Sequence, residues 1–327
     1  MLFAPRRQGP VLPLRVIFSV PVALVLFLFY MVGSAFFYGF YKPHFYLRKA
    51  GYGGIGDVLI VTCFSCFYFL ALVSYVRCVL THPGVPADNT EEGEKAALET
   101  SKRFCRACRV LKPDRAHHCR ICNTCILTMD HHCPWVANCV GFQNYKFFYL
   151  FVLHGFMGST IVAVLNLFLR HGDMERAGVK QNSQFFATFG MIIASAMSVS
   201  LGLFTALHSY LIGIETSTIE LHMYGCKRFP YSHGLYRNVQ SKLGESPFLW
   251  FLPISAVTRE KLEENQSRVS ILTTGQDGRG GPPSSPTVSG RYTDAETPED
   301  VRVEIGEGHP GGFGNVEMKS TPTKTIA

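Results

Sequence analysis

Apolar residues in this chain are gathered into four long stretches separated by polar ones. They cover residues 14–41, 58–80, 147–169 and 185–213. Roughly 20 helical residues cross the hydrocarbon core of a bilayer, so each stretch predicts a membrane-spanning helix. Each is nearly free of charge. Arg77, near one end of the second, has a stem long enough to carry its guanidinium to the interface. The first stretch is too long for the apolar core of a signal peptide, and no small-residue cleavage site stands out, so it reads as a retained span. The expected fold class is an all-α polytopic membrane protein with four transmembrane helices.

The polar segments complete the organisation. They are an N-terminus (1–13), loops at 42–57, 81–146 and 170–184, a juxtamembrane segment (214–256) and a tail (257–327). Four spans put both termini on one side. Arg6, Arg7 and Arg15 favour a cytosolic N-terminus, while Lys42, Arg48 and Lys49 pull the other way. The loop 81–146 breaks the tie. It holds seven cysteines, and thiols or zinc thiolates persist in the reducing cytosol. That loop and both termini are therefore expected to be cytosolic, with 42–57 and 170–184 lumenal or extracellular. Within the loop, residues 88–100 read as a charged linker or a short exposed helix.

Composition adds little beyond this segregation. The mean hydropathy of +0.14 averages apolar spans with a tail rich in Gly, Pro, Ser, Thr and Glu. Such a tail buries too little apolar surface to offset its chain entropy, and it is expected to be disordered. The formal net charge of +7 reads as basic flanks meeting anionic lipid headgroups, with no nucleic acid partner. Asn166, His154 and His208 fall in or near spans, where polar groups are expected to find a neighbouring helix or the interface.

The chemistry concentrates in residues 103–144. They contain Cys105-x2-Cys108, then His117-His118-Cys119-x2-Cys122-x2-Cys125, then Asp130-His131-His132-Cys133, then Cys139. Cysteine pairs separated by two residues, with histidines nearby, suit the tetrahedral sulfur and nitrogen coordination of zinc. Two closed sites need eight ligands. Seven cysteines and four histidines leave one cysteine and two histidines over. Cys133 stands out as the surplus thiol, because Asp130 and two histidines flank it, and a thiol needs a base and an orienting carboxylate to act as a nucleophile at neutral pH. His117 reads as an exposed neighbour of a ligand. Spacing alone leaves open which ligands share a metal, and which of His131 and His132 binds one.

Asp130-His131-His132-Cys133, followed by Pro134-Trp135, Asn138-Cys139-Val140-Gly141 and Asn144-Tyr145, closely resembles the DHHC protein S-acyltransferase family. Lys112-Pro113 and Arg115 before His118 agree, as do two spans on either side. Ser217-Thr218-Ile219-Glu220 resembles the family's Thr-Thr-x-Glu, with Ser217 in place of the first threonine. Asn238, Gly244 and Trp250-Phe251-Leu252-Pro253 resemble its C-terminal motif, with an interfacial aromatic segment as the alternative.

The resemblance implies that Cys105, Cys108, His118 and Cys125 hold one structural zinc, and Cys119, Cys122, His132 and Cys139 a second. It implies that Cys133 is the nucleophile carrying an S-acyl intermediate, His131 its general base and Asp130 the group orienting His131. Trp135, Ser217, Thr218, Glu220 and Asn238 become supporting residues. The co-substrate implied is acyl-CoA, palmitoyl-CoA above all, whose phosphates would meet Lys102, Arg103, Arg106, Arg109, Lys112, Arg115 or Arg120. Implied partners are the lipid bilayer and proteins bearing membrane-proximal cytosolic cysteines, with an accessory subunit left open. The implied location is a Golgi or endoplasmic reticulum membrane, or the plasma membrane. A membrane-anchored zinc module that only binds partners is the competing class; it has no need of a free Cys133 beside Asp130 and His131.

Overall fold

The computed structural model describes residues 19–43, 45, 54–86, 104–168, 180–225 and 230–257. The expectations for the N-terminus 1–13, the linker 88–100, the side chain of Asn166, Cys226 and all but the first residue of the tail 257–327 lie outside the described residues.

Among the described residues, four helices are long and apolar enough to cross a membrane: Val20–Tyr41, Ile55–Leu80, Tyr145–Leu165 and Gln181–Gly213. The first, α1, is α-helical over Val20–Phe36 and ends in a π-helical turn, Phe37–Tyr41. Pro21 sits in its first turn, where a missing N–H costs nothing. The second, α2 (Ile55–Leu80), begins with Asp57 accepting the Gly54 N–H at 3.3 Å and carries Arg77 in its last turn. Both charges complement the helix dipole. The third and fourth are α3 (Tyr145–Phe168) and α4 (Gln181–Gly213). Phe27, Leu59, Phe69, Phe185, Val199 and Leu203 are exposed on the bundle's outer surface. Lipid tails satisfy such side chains, whereas every backbone polar group must be paired within the helix.

The helices pack α2 on α3, α3 on α4, and α4 on α1. Rings join α1 to α2: Phe36 stacks on Phe64 at 3.8 Å, and Phe29 meets Tyr68 edge-on at 5.6 Å. Where α4 crosses α1 the backbones nearly touch. A Cβ on Gly190 would run into the Met31 carbonyl and lie 2.9 Å from the Ala35 Cβ. Close approach through small residues is how helices associate in lipid. Gly190→Leu is therefore expected to cost about 1–3 kcal/mol of stability. A lowered melting temperature in detergent would show it; an unchanged one would mean that α1 and α4 do not meet there.

Between α2 and α3 the described residues form three antiparallel hairpins of very short strands. β1 (Phe104–Cys105) pairs with β2 (Val110–Leu111), β3 (His117–Cys119) with β4 (Thr124–Ile126), and β5 (His131–Cys133) with β6 (Asn138–Val140). Isolated hairpins of this size are not stable in water. Beyond α4 come α5 (Thr218–Tyr224) and α6 (Leu235–Leu243). Asn238 ties α6 to the end of α4: its Nδ2 donates to the Gly213 carbonyl at 2.6 Å and its Oδ1 accepts the His233 N–H at 2.8 Å. Lys146 Nζ donates to the Leu249 carbonyl at 2.8 Å, and Arg77 donates to that of Pro253. The segment so held leaves Phe248, Phe251, Leu252 and Ile254 exposed, a composition suited to a membrane interface.

Candidate active site and metal centres

Strand geometry sorts the cysteines and histidines. Successive side chains of a strand point to opposite faces. In β3 this sends His118 and Cys119 to different clusters. His118 joins Cys105, Cys108 and Cys125, while Cys119 joins Cys122, His132 and Cys139; in each set the ligand atoms lie within 4.8 Å of one another. Each histidine pairs across its hairpin with the cysteine of its own cluster, His118 with Cys125 and His132 with Cys139. The other two ligands come from a Cys-x2-Cys turn closed by a backbone N–H on sulfur, Cys108 N to Cys105 Sγ and Cys122 N to Cys119 Sγ, both 3.4 Å.

The donor sets fit zinc. Bonds of about 2.3 Å to sulfur and about 2.0–2.1 Å to nitrogen give tetrahedral edges of roughly 3.5–3.8 Å. Nδ1 of His118 lies 3.5, 3.3 and 4.0 Å from the sulfurs of Cys105, Cys108 and Cys125. Nδ1 of His132 lies 3.7, 3.4 and 3.5 Å from those of Cys119, Cys122 and Cys139. With one nitrogen and three sulfurs each, both sets would be closed sites, with no position left for a reacting water. We expect zinc at one ion per cluster, and Cys119→Ser to halve it. Chelation should make residues 104–140 protease-sensitive while the spans stay helical, because the ligand bonds supply the folding energy that such short hairpins lack. Hairpins that stayed protected after full chelation would contradict this.

The same alternation in β5 turns His131 and Cys133 to the face opposite His132. Nδ1 of His131 meets Oδ2 of Asp130 at 2.7 Å. Asp130 is buried, and its carboxylate is fully engaged from the other side. Oδ1 accepts the Thr218 N–H at 3.0 Å, and the Thr218 hydroxyl reaches Oδ2 at 3.2 Å and the Asp130 carbonyl at 2.5 Å. Burial alone would raise the Asp130 pKa, but the hydrogen bond and charge of His131 and the Thr218 amide hold it below the usual carboxylate range. Burial alone would lower that of His131. The hydrogen bond to Asp130 and the interaction with Cys133 outweigh it and raise it to about 9. The Cys133 thiol is buried among Tyr75, Cys78, Val79 and Phe148, apolar residues at one end of the spans.

A second network holds this arrangement together. Arg115 Nε and Nη2 form a bidentate pair with Glu220 at 2.6 and 2.8 Å, and Nη1 meets Glu215 Oε1 at 3.1 Å. Glu220 caps α5 reciprocally with Ser217: its Oε2 accepts the Ser217 N–H at 2.8 Å, and its own N–H donates to Ser217 Oγ at 3.2 Å. Ser217 thus serves as the N-cap, for which either hydroxyl residue is suited.

A family model of the DHHC palmitoyltransferase domain matches residues 98–224. The chain is 34% identical over 228 residues to the probable protein S-acyltransferase 13 of Arabidopsis thaliana, covering 62% of this chain and 75% of that protein. It is 30% identical over 233 residues to the palmitoyltransferase ZDHHC20 of Homo sapiens, covering 60% and 63% of the two. It is 32% identical over 230 residues to the probable protein S-acyltransferase 14 of Arabidopsis thaliana, covering 62% and 74%. The chain belongs to the DHHC palmitoyltransferase family.

Within this DHHC protein the residues singled out from the sequence fall into three places. Eight form the two clusters, and Asp130, His131 and Cys133 meet beside α3. Thr218 reaches that centre from beyond α4, and Glu220 supports it indirectly, through Arg115 and the cap of α5. Trp135 is half-exposed next to Cys133, its carbonyl accepting the Tyr75 hydroxyl at 3.0 Å. Arg106, Arg109 and Arg120 are exposed, Lys112 is half-buried, and Lys102 and Arg103 lie outside the described residues. Arg115 differs from its expected place on a phosphate-binding surface, because Glu220 and Glu215 bind it. The pairing of Glu215 with Arg115, and with Lys242 Nζ at 3.6 Å, was not anticipated. The capping spacing of Ser217 and Glu220 was the one local signal for part of the network around Arg115.

Proposed function

We propose that this chain is a protein S-acyltransferase that moves a long-chain fatty acyl group from acyl-CoA, by way of a Cys133 thioester, to cysteine thiols of membrane-associated proteins. The observation that carries the reading is the 2.7 Å contact of Asp130 with His131 Nδ1, on a ring that also interacts with Cys133.

His131 takes the Cys133 proton, and Asp130 holds the ring and balances the imidazolium. The thiolate attacks the acyl-CoA carbonyl; the new carbon–sulfur bond forms as the bond to CoA breaks, and the proton on His131 passes to the leaving CoA thiolate. An acceptor cysteine then repeats the exchange in reverse, giving its proton to His131 and leaving Cys133 free. One thioester replaces another at each step, so no ATP is consumed. Zinc, held by the two Cys3His sets, would supply rigidity alone.

The acyl chain would lie under Cys133 among Tyr75, Phe29 and Phe151, which share its apolar cluster. Each buried methylene would contribute about 0.8 kcal/mol. The exposed Arg106, Arg109 and Arg120 are candidates for the CoA phosphates. A cytosolic site, with both termini cytosolic in a Golgi or endoplasmic reticulum membrane, fits the thiol chemistry, since acceptor cysteines must be reduced. The test is purified protein in detergent, given labelled palmitoyl-CoA and then a lipid-anchored peptide with one cysteine. Label that moves from protein to peptide and is released by hydroxylamine supports the reading; a zinc-loaded protein that takes up no label ends it.

A further inference from the structure

His208 is a histidine that the reaction above does not use. It lies on α4, five residues before the helix ends at Gly213, or about 7.5 Å along its axis. Its residue is 1% exposed. A polar ring so buried in a span needs a reason, because it forfeits hydration.

Its surroundings supply one. The Tyr145 hydroxyl and His208 Nδ1 lie 3.1 Å apart. With the hydroxyl as donor, this contact fixes the tautomer that carries its proton on Nε2. The ring then packs into the catalytic centre. Its centroid is 6.3 Å from that of His131. Phe148 stands edge-on to both histidines, 4.9 Å from His131 and 5.0 Å from His208. Phe204 stacks on the far side of His208 at 6.5 Å, one turn back along α4. Tyr145 is itself held, with Lys242 Nζ 5.3 Å from its ring centre. His131 is thus gripped on two sides: Asp130 takes one nitrogen, and the Phe148–His208 pair bounds the plane of the ring.

We propose that His208, oriented by Tyr145, is a positioning residue for acyl transfer, fixing through Phe148 the ring of His131 so that it faces Asp130 and Cys133 together. The inference rests on the acyltransferase reading above. The hydrogen bond aims an imidazole of fixed orientation at Phe148 and stops the ring of His131 from tilting, and small misplacements of a catalytic base cost rate and leave binding intact.

The test uses full-length protein in detergent with palmitoyl-CoA and a saturating lipid-anchored peptide bearing one cysteine, reading kcat and KM for palmitoyl-CoA from CoA release, and zinc content and melting temperature for each variant. His208→Phe keeps the bulk of the ring and removes the nitrogens; it should lower kcat about 10- to 100-fold with KM within about twofold, and with zinc and melting temperature unchanged. Tyr145→Phe should lower kcat in the same direction, and the double variant should be no slower than His208→Phe alone. A His208→Phe protein with wild-type kcat, or with KM raised and kcat unchanged, overturns the proposal. Should His208→Phe lose zinc or melt early, Tyr145→Phe, which removes one oxygen, decides: wild-type kcat there also overturns it. A wild-type protein that released no CoA would fail the acyltransferase reading, which is a separate result.

Discussion

Replacing Cys133 with alanine is expected to abolish acyl uptake and transfer while leaving the zinc content and melting temperature of the protein as they were. The thiol is buried but lies on the face of β5 opposite the second metal cluster. Its loss removes one heavy atom from an apolar pocket, at a cost of about 1 kcal/mol or less. The chemical cost is of another order. Removing a nucleophile from a unit of nucleophile, base and orienting carboxylate lowers the rate by at least about a thousandfold. Cys133→Ser is the more informative partner variant. Its hydroxyl could still be acylated slowly with His131 as base, but the product would be an oxygen ester, more stable than a thioester, and transfer to an acceptor thiol would run uphill. The alanine variant should carry no label; the serine variant should carry little or none, with whatever it holds resisting mild hydroxylamine and failing to reach the peptide. Normal peptide acylation by either variant would mean that another residue carries the acyl group.

The spans and the metal-binding residues were legible in the sequence because both are local signals. Apolar runs of about 20 residues announce themselves, and Cys-x2-Cys turns bring two ligands together through three peptide bonds. Short range is also why the division of labour between His131 and His132 could not be read by spacing. Adjacent residues in a strand face opposite ways, and which face meets the metal is set by the pairing of His132 with Cys139. Contacts farther apart leave no period at all. Thr218 meets Asp130 across 88 residues, and Arg115 meets Glu220 across 105. In the sequence, Thr218 and Glu220 stand out only by the resemblance of Ser217-Thr218-Ile219-Glu220 to a family motif, which names no partner for either. Arg115 looks like one more basic residue in a basic loop until its fork is seen filled by two carboxylates. His208 reads as a stray polar group in a span until α3 brings Tyr145 and Phe148 beside it.

The Arg115 network leads to the second large expectation. Arg115→Leu should destabilise the protein by about 3–5 kcal/mol, because buried Glu220 would lose its bidentate partner and buried Glu215 would keep only the cation of Lys242, 3.6 Å away. Burial by itself would raise the Glu220 pKa; Arg115 reverses that and holds it low, so the folded state depends on the guanidinium. The damage should also spread to the chemistry. Glu220 closes the cap of α5, α5 presents Thr218, and Thr218 holds the Asp130 that orients His131. Arg115→Leu should therefore lower the melting temperature and slow acylation together. Arg115→Lys keeps the charge but cannot form a bidentate pair and reach Glu215 at once, so it should fall between. In a double-mutant cycle, Glu220→Gln should destabilise the Arg115→Leu background by less than it does the wild type, since the carboxylate is already unpaired there. If Arg115→Leu melted and acylated like the wild type, the link between the metal-binding hairpins and the helices beyond α4 would have to run through other contacts, with the Thr218–Asp130 hydrogen bonds the first to examine.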